Sequence, residues 1–310
     1  MKWTRTLVAI VRLLAFQLRM MARYGRRSGG RGKFPEWAAA AHVPRTLAFV
    51  RRQYWGASRV AAPPTVRWCG ILLSYRRPHN LDALVRAMLR CDGCEAVIVS
   101  NNEPSIALRG WISVTNPRVH IIDQKHRRYP GIRMTIARAA PAGMYLMVDD
   151  DTLLHGEQMQ ALMNHLHAAP EVPHGVNGER RDDDRSPYPY RLDVRGEGAV
   201  DHLTNVYAFT DRHLTRYFER VAELGIADPA DLANGEDIIL SSCGSGRPRV
   251  HDLGPILRCA STNDLSIATH RTRERFFEER LVTIDALRRL RRSGETTGSG
   301  ESEDAGSGGR

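Results

Sequence analysis

The chain has 310 residues, with 45 Lys and Arg against 35 Asp and Glu, a formal net charge of +10 at pH 7. With 42% hydrophobic and 26% charged residues, its composition is that of a globular protein and excludes a disordered or fibrous polymer. No run of eighteen uncharged apolar residues occurs, so a membrane-spanning helix is excluded on length.

Taken from the start, the charge is unevenly placed. Nine basic residues (Lys2, Arg5, Arg12, Arg19, Arg23, Arg26, Arg27, Arg31 and Lys33) and no acidic residue lie in 1–33; the remaining 36 bases meet all 35 acids. The body is thus nearly neutral, which argues against nucleic acid as its partner. From Trp3 to Tyr24 apolar residues are broken by Arg5, Arg12 and Arg19, a spacing that returns to nearly one side of a helix. Residues 1–33 therefore read either as a basic amphipathic arm on an anionic membrane surface or as a helix packed on the protein's own body. A Gly/Arg linker at Ser28–Gly32 leads to a helical segment between Trp37 and Tyr54, so 34–64 reads as a helical linker.

The region 65–292 alternates strand and helix patterns. Val66–Ser74 is a near-continuous apolar run, followed by the turn Tyr75-Arg76-Arg77-Pro78. Asn80 is placed to N-cap a helix over Leu81–Arg90, where Leu81, Leu84, Val85, Met88 and Leu89 recur at helical spacing. Further strands are expected at Ala96–Ser100, Val119–Ile122 and Met144–Val148, with a helix around Ile132–Ala140. This order predicts an α/β fold, a Rossmann-like, mainly parallel central sheet flanked by helices. Ligands of such sheets bind beyond the strand carboxyl ends, where Ser74-Tyr75, Asn101-Asn102 and Asp149-Asp150-Asp151 all fall. A charged helix from about Thr272 to Arg292 precedes a Gly/Ser/Glu/Thr tail, 293–310, expected to be disordered. Five cysteines, an odd and sparse set, suit a reducing compartment; the expectation is a cytoplasmic protein, peripheral on the membrane if the arm meets lipid.

Two acidic groups carry the chemistry. Three successive aspartates at a strand end repel one another, and a hard cation such as Mn²⁺ or Mg²⁺, completed by phosphate oxygens, would neutralise them. The alternative is a solvated acidic turn. A haloacid-dehalogenase-type reading fails, because Leu153 stands where that motif needs Thr or Val. Downstream, Asn234-Gly235-Glu236-Asp237 precedes the apolar run Ile238-Ile239-Leu240. Acids at a helix start are favoured by the dipole, and one of them also suits a general base for an acceptor hydroxyl. Adjacent helical positions cannot both face one site; Asp237 is the favoured base and Glu236 its neighbour. His251 reads as a third metal ligand or as a core histidine. Arg271 and Arg273 read as partners of a departing diphosphate or of Glu274 and Glu278. Tyr188 and Tyr190 read as sugar-stacking rings or part of a solvated loop, and Cys91-Asp92-Gly93-Cys94 lacks the second pair that zinc would need.

These motifs, over about residues 66–275, resemble nucleotide-sugar glycosyltransferases of the GT-A fold. Ser74-Tyr75-Arg76-Arg77-Pro78 is similar to their Thr-Tyr-x-Arg-Pro opening. Gly131–Asp151 resembles the family-2 approach to the metal-binding Asp-x-Asp, and Gly235-Glu236-Asp237 resembles the later Glu-Asp motif. Exostosin-like transferases of family 64 are a second resemblance, through the strand ending in Asn101-Asn102 and the aspartate triplet. The resemblance implies a metal-dependent enzyme that moves a hexosyl or N-acetylhexosaminyl group from a nucleotide-sugar donor to a glycan or lipid-linked acceptor. It implies a nucleotide-binding half, 65–152, and an acceptor half, 153–292. Donor contacts would come from Ser74, Tyr75, Arg77, Asn101, Asn102, Asp149, Asp150 and Arg273. The metal would lie on Asp151, Asp149 and His251, with catalysis at Asp237 and Glu236. The first resemblance implies inversion and the second retention. A basic nucleic-acid-binding protein with a structural α/β core, or a nucleotidyltransferase of related fold, stands as the alternative.

Overall fold

A computed structural model describes residues 2–27, 36–56, 58–140, 142–182, 184–262, 264 and 266–298. The Ser28–Gly32 linker and residues 299–310 lie outside the described residues. Four strands form one half of the central sheet: β1 (Trp68–Ser74), β2 (Cys94–Asn101), β3 (Val119–Asp123) and β4 (Met144–Asp149). The helices are α1 (Lys2–Arg27), α2 (Glu36–Trp55), α3 (Leu81–Arg90), α4 (Ile132–Ala139), α5 (Gly156–Ala168), α6 (Asp211–Glu223), α7 (Glu236–Ser241), α8 (Thr269–Thr272) and α9 (Phe276–Gly298). α9 continues past the helix end expected at Arg292.

The sheet has eight strands, in the order β3-β2-β1-β4 and then Val206–Thr210, His174–Gly175, Arg249–Val250 and Gly198–Ala199. β1 runs parallel to both β2 and β4, β2 runs parallel to β3, and Val206–Thr210 is antiparallel to β4. The mixed α/β architecture with a mainly parallel central sheet is therefore as predicted. All seven residues of β1 are buried, because helices cover both faces. Side chains alternate: Leu72, Leu146 and Val148 join a core with α3 and α5, while Ile71, Tyr145 and Met147 join a core with α4, α6 and α7. Register aligns the strand ends. Ser74 pairs with Asn101, Asn101 with Asp123, and Leu73 with Asp149, so the polar residues expected at the carboxyl edge share one rim.

Some local expectations give way to tertiary contacts. Asn80 stands at the N-cap position of α3 but makes no side-chain cap bond. Its Nδ2 instead donates to the Asp150 carbonyl at 2.7 Å, and its Oδ1 accepts from Gln17 Nε2 at 3.3 Å. The acidic and tyrosine-rich stretch after Gly178 is a hairpin rather than a loop: Gly178–Arg181 pairs antiparallel with Tyr190–Val194. Tyr188 donates to Glu179, and Arg288 donates to the Tyr190 hydroxyl at 2.9 Å, so both rings brace the fold. Of the two readings of the basic arm, packing on the body is observed. α1 buries Ile10, Leu13, Phe16, Gln17 and Met20, and Phe16 stacks on His79 with ring centroids 4.2 Å apart.

Candidate active site

The turn after β1 is built around Asp150. The Tyr75 backbone N–H donates to its Oδ2 at 2.7 Å and Arg77 Nη1 to its Oδ1 at 3.0 Å. Burial, reinforced by Asp151 and opposed by Arg77, pushes the Asp150 carboxyl up to about 7. Arg77 is itself buried; it reaches Asp151 at 3.4 Å and donates to the Ser261 hydroxyl at 2.8 Å. The outer aspartates differ from Asp150. Asp149, the last residue of β4, accepts from Arg133 Nη1 at 2.9 Å and from Asn205 Nδ2 at 3.1 Å. Burial also raises its carboxyl. Asp151 meets Arg77 and the Thr152 hydroxyl, while its carbonyl accepts from the Cys259 N–H.

Arg133, buried on α4, joins this corner to the second acidic group. Besides Asp149, it donates to the Tyr207 hydroxyl at 2.8 Å and faces Glu236 at 4.0 Å. Gly131, two residues earlier, lies so close to the 3₁₀ turn at Pro229–Asp231 that a Cβ would sit 1.9 Å from the Pro229 carbonyl oxygen. That contact fixes where α4 begins. α7 starts at Glu236 directly after Gly235, whose φ of +97° is a glycine conformation. Both carboxylates of the pair are buried, but they differ. Arg280 Nη1 donates to Oδ1 and Oδ2 of Asp237, each at 3.0 Å, and the Ile238 N–H donates to Oδ1 at 2.9 Å. Burial first, and then the charge of Asp237, push the Glu236 carboxyl up to about 7, against the pull of Arg133.

Asp149, Asp150, Asp151, Glu236 and Asp237 all line one cavity of about 990 Å³. Tyr75, Arg77, Asn102 and Arg273 also line it. Asn102 donates to the Arg128 carbonyl at 2.9 Å, and its buried Oδ1 has no hydrogen-bond partner among the described residues. Arg127 lies over the Tyr75 ring at 4.6 Å.

Three expected site residues are elsewhere. Ser74 is buried within the sheet and does not line the cavity. Asn101 turns into its own loop, donating to Asp123 at 3.0 Å and to the Ile106 carbonyl, and accepting from the Glu103 N–H at 3.0 Å. His251 departs furthest from expectation. It bonds His174 at 2.8 Å and Glu197 at 3.1 Å, stacks on His165 at 3.8 Å and does not line the cavity. Burial and the neighbouring histidines lower its pKa to about 4. The core-histidine reading is the one observed. Arg273 lines the cavity but is paired with Glu279, which accepts from Nη2 at 2.7 Å.

Asp149 and Asp151 are oxygen donors on the cavity wall, and among the described residues no cluster of three ligating side chains stands ready for a metal. One or two carboxylates completed by phosphate oxygens and water is the usual way Mg²⁺ is held, so this donor set fits such a cation. Residues that the motifs did not single out complete the wall: Arg133, Glu179, Asn205, Arg258 and Arg280. A signal for Arg280 exists in the sequence, since it falls in the apolar helical stripe Phe276, Phe277, Ile284, Leu287.

No protein-family model matches this chain, and no curated protein matches it. Among solved structures, the crystal structure of GalNAc-T7 with UDP, GalNAc and Mn²⁺ is 11% identical, with a TM-score of 0.44. The alignment covers 60% of this chain and 42% of that one, so the chain spans less than half of that neighbour's length.

Proposed function

We propose that the chain is a glycosyltransferase that moves a sugar from a nucleotide-sugar donor to an acceptor hydroxyl. The observation that carries this reading is the shared cavity: the aspartates ending β4 and the acidic pair starting α7 face one space, joined through Arg133. At about 990 Å³ the space suits a nucleotide-sugar and part of an acceptor.

Asp149 and Asp151 would hold Mn²⁺ or Mg²⁺, which when bound supplies positive charge for a diphosphate leaving group. The unpartnered Oδ1 of Asn102 suits an N–H of the nucleobase, and Tyr75 lines the same cavity with Arg127 over its ring. Arg258 and Arg273, paired with Asp193 and Glu279, bring positive charge to the wall that the diphosphate oxygens would face.

For the base we favour Glu236 over Asp237. Arg280 and the Ile238 N–H donate three bonds to Asp237 and hold it as an ion-pair partner, whereas Glu236 faces Arg133 only at 4.0 Å. The raised Glu236 carboxyl is matched to accepting a proton near neutrality. In the proposed step the acceptor oxygen bonds to the anomeric carbon, the bond to diphosphate breaks, and the hydroxyl proton goes to Glu236. The product is inverted.

The test incubates the full chain with UDP-, GDP- and dTDP-sugars, Mn²⁺ and a panel of alkyl-glycoside and lipid-linked glycan acceptors, following release of nucleoside diphosphate and the anomeric proton of the product by NMR. Turnover of one donor that is lost in Asp151→Asn supports the reading; no release from any of them contradicts it.

A further inference from the structure

We propose that the outer face of α1 is a docking surface for an anionic lipid bilayer. One side of this helix is already used, with Ile10, Leu13, Phe16 and Met20 buried on the body. The other side is also apolar. Trp3 is 81% exposed, Leu7 59%, Val11 55% and Leu18 52%. Steps of four, four and seven residues put them on one face. With Val8, they make up five of the ten exposed large hydrophobic residues among those described. A helix that serves its own core needs one apolar stripe, so a second one marks a surface that something else covers.

Charge selects the occupant. α1 contains no acidic residue, and Arg5, Arg12 and Arg19 run along the edge of the exposed apolar face. Arg12 is partly committed, donating to the Gly110 carbonyl and lying over Trp111 at 4.4 Å, whereas Arg5 and Arg19 are exposed. A second copy docking through the same face would set one acid-free surface against another. Anionic lipid supplies the missing negative charge and accepts the apolar side chains at the level of its headgroups.

The docking helix is also close to the cavity. α2 packs on α1 and contributes Ala41, His42, Arg45, Ala48, Phe49 and Arg52 to the cavity wall. Bilayer contact would therefore lie one helix away from the substrate space. That suits an acceptor carried on a lipid, a consequence that rests on the transfer reading, as docking itself does not.

The test is flotation of the full chain with vesicles of phosphatidylcholine alone or mixed with phosphatidylglycerol. Flotation is expected with the mixed vesicles and to fall with added salt. In the double variant Leu7→Glu/Val11→Glu the bound fraction should drop by about tenfold or more. In Arg5→Glu/Arg19→Glu, binding and its salt dependence should fall together. All four side chains are exposed, and an unchanged thermal unfolding curve checks that the fold is kept. No flotation with phosphatidylglycerol, or equal flotation of the double variant, overturns docking. So does a dimer, seen by light scattering, that the double variant dissociates while wild-type flotation is absent. Flotation without sugar transfer would leave docking standing and remove only the transfer reading.

Discussion

Arg280 grips both carboxylate oxygens of Asp237 at 3.0 Å while Glu236, one residue earlier, faces Arg133 at 4.0 Å. Two adjacent acids thus have different tasks. Asp237→Asn breaks a buried pair and is expected to cost about 3–5 kcal/mol, read as a lower urea midpoint. Glu236→Gln should keep the fold yet lower transfer about 10²-fold or more. Full transfer by Glu236→Gln would remove it as the base.

The raised Glu236 carboxyl fixes a sign. Its folded pKa, about 7, lies above its usual 4.5, so its contribution to stability is present below about 4.5 and lost as pH rises towards 7. Glu236→Gln is therefore expected to raise the unfolding temperature relative to wild type at about pH 8 more than at about pH 4. Transfer by wild type should climb through an acidic limb near 7. A flat transfer profile contradicts the second expectation, and an equal shift of the unfolding temperature at the two pH values contradicts the first.

Gly131 sets the entry of α4 and hence the position of Arg133. A Cβ 1.9 Å from the Pro229 carbonyl oxygen forces the backbone to move. Gly131→Ala is expected to destabilise by about 1–3 kcal/mol in urea unfolding and to weaken nucleotide-sugar binding as Asp149 loses its partner. An unchanged midpoint would mean that the turn at Pro229 yields freely.

His79 ties α1 to acid stability. Burial, with Arg19 and Arg12 nearby, lowers its pKa to about 4, and its Nδ1 is buried without a hydrogen-bond partner among the described residues. The neutral ring is the folded form, so stability is lost as pH falls from about 6.5 towards 4. His79→Phe keeps a ring against Phe16 and Trp111 and removes the titration. The fall in unfolding temperature between about pH 7 and about pH 5 should shrink in this variant. An equal fall would place the acid sensitivity in the other buried histidines, such as His202 and His174, instead.

The sheet was legible because β1, β2 and β4 are buried on both faces and so read as apolar runs ending in polar residues. The aspartate triplet and the Glu236–Asp237 pair were legible for the same reason, as acids set against apolar elements. Which strand-end residue faces the cavity was not, because side chains alternate. Ser74 and Asn101 point away from it, whereas Tyr75 and Asn102 line it. Arg133 was not legible because a buried arginine looks like any helix arginine until its acids, over a hundred residues away in the case of Glu236, are brought to it; Arg280 carried a signal in its apolar stripe, but its acids too are distant in sequence. What the side chains of His251 and Asn80 bind was not legible, because distant partners, His174 and Asp150, decide it.

The most direct measurement is calorimetric titration of the full chain with UDP, GDP and dTDP in the presence and absence of Mn²⁺, for wild type and Asp151→Asn. One nucleoside diphosphate is expected to bind in a Mn²⁺-dependent way, and that binding is expected to be lost in Asp151→Asn. Binding that is equal in the two proteins, or no binding of any of the three, would contradict it.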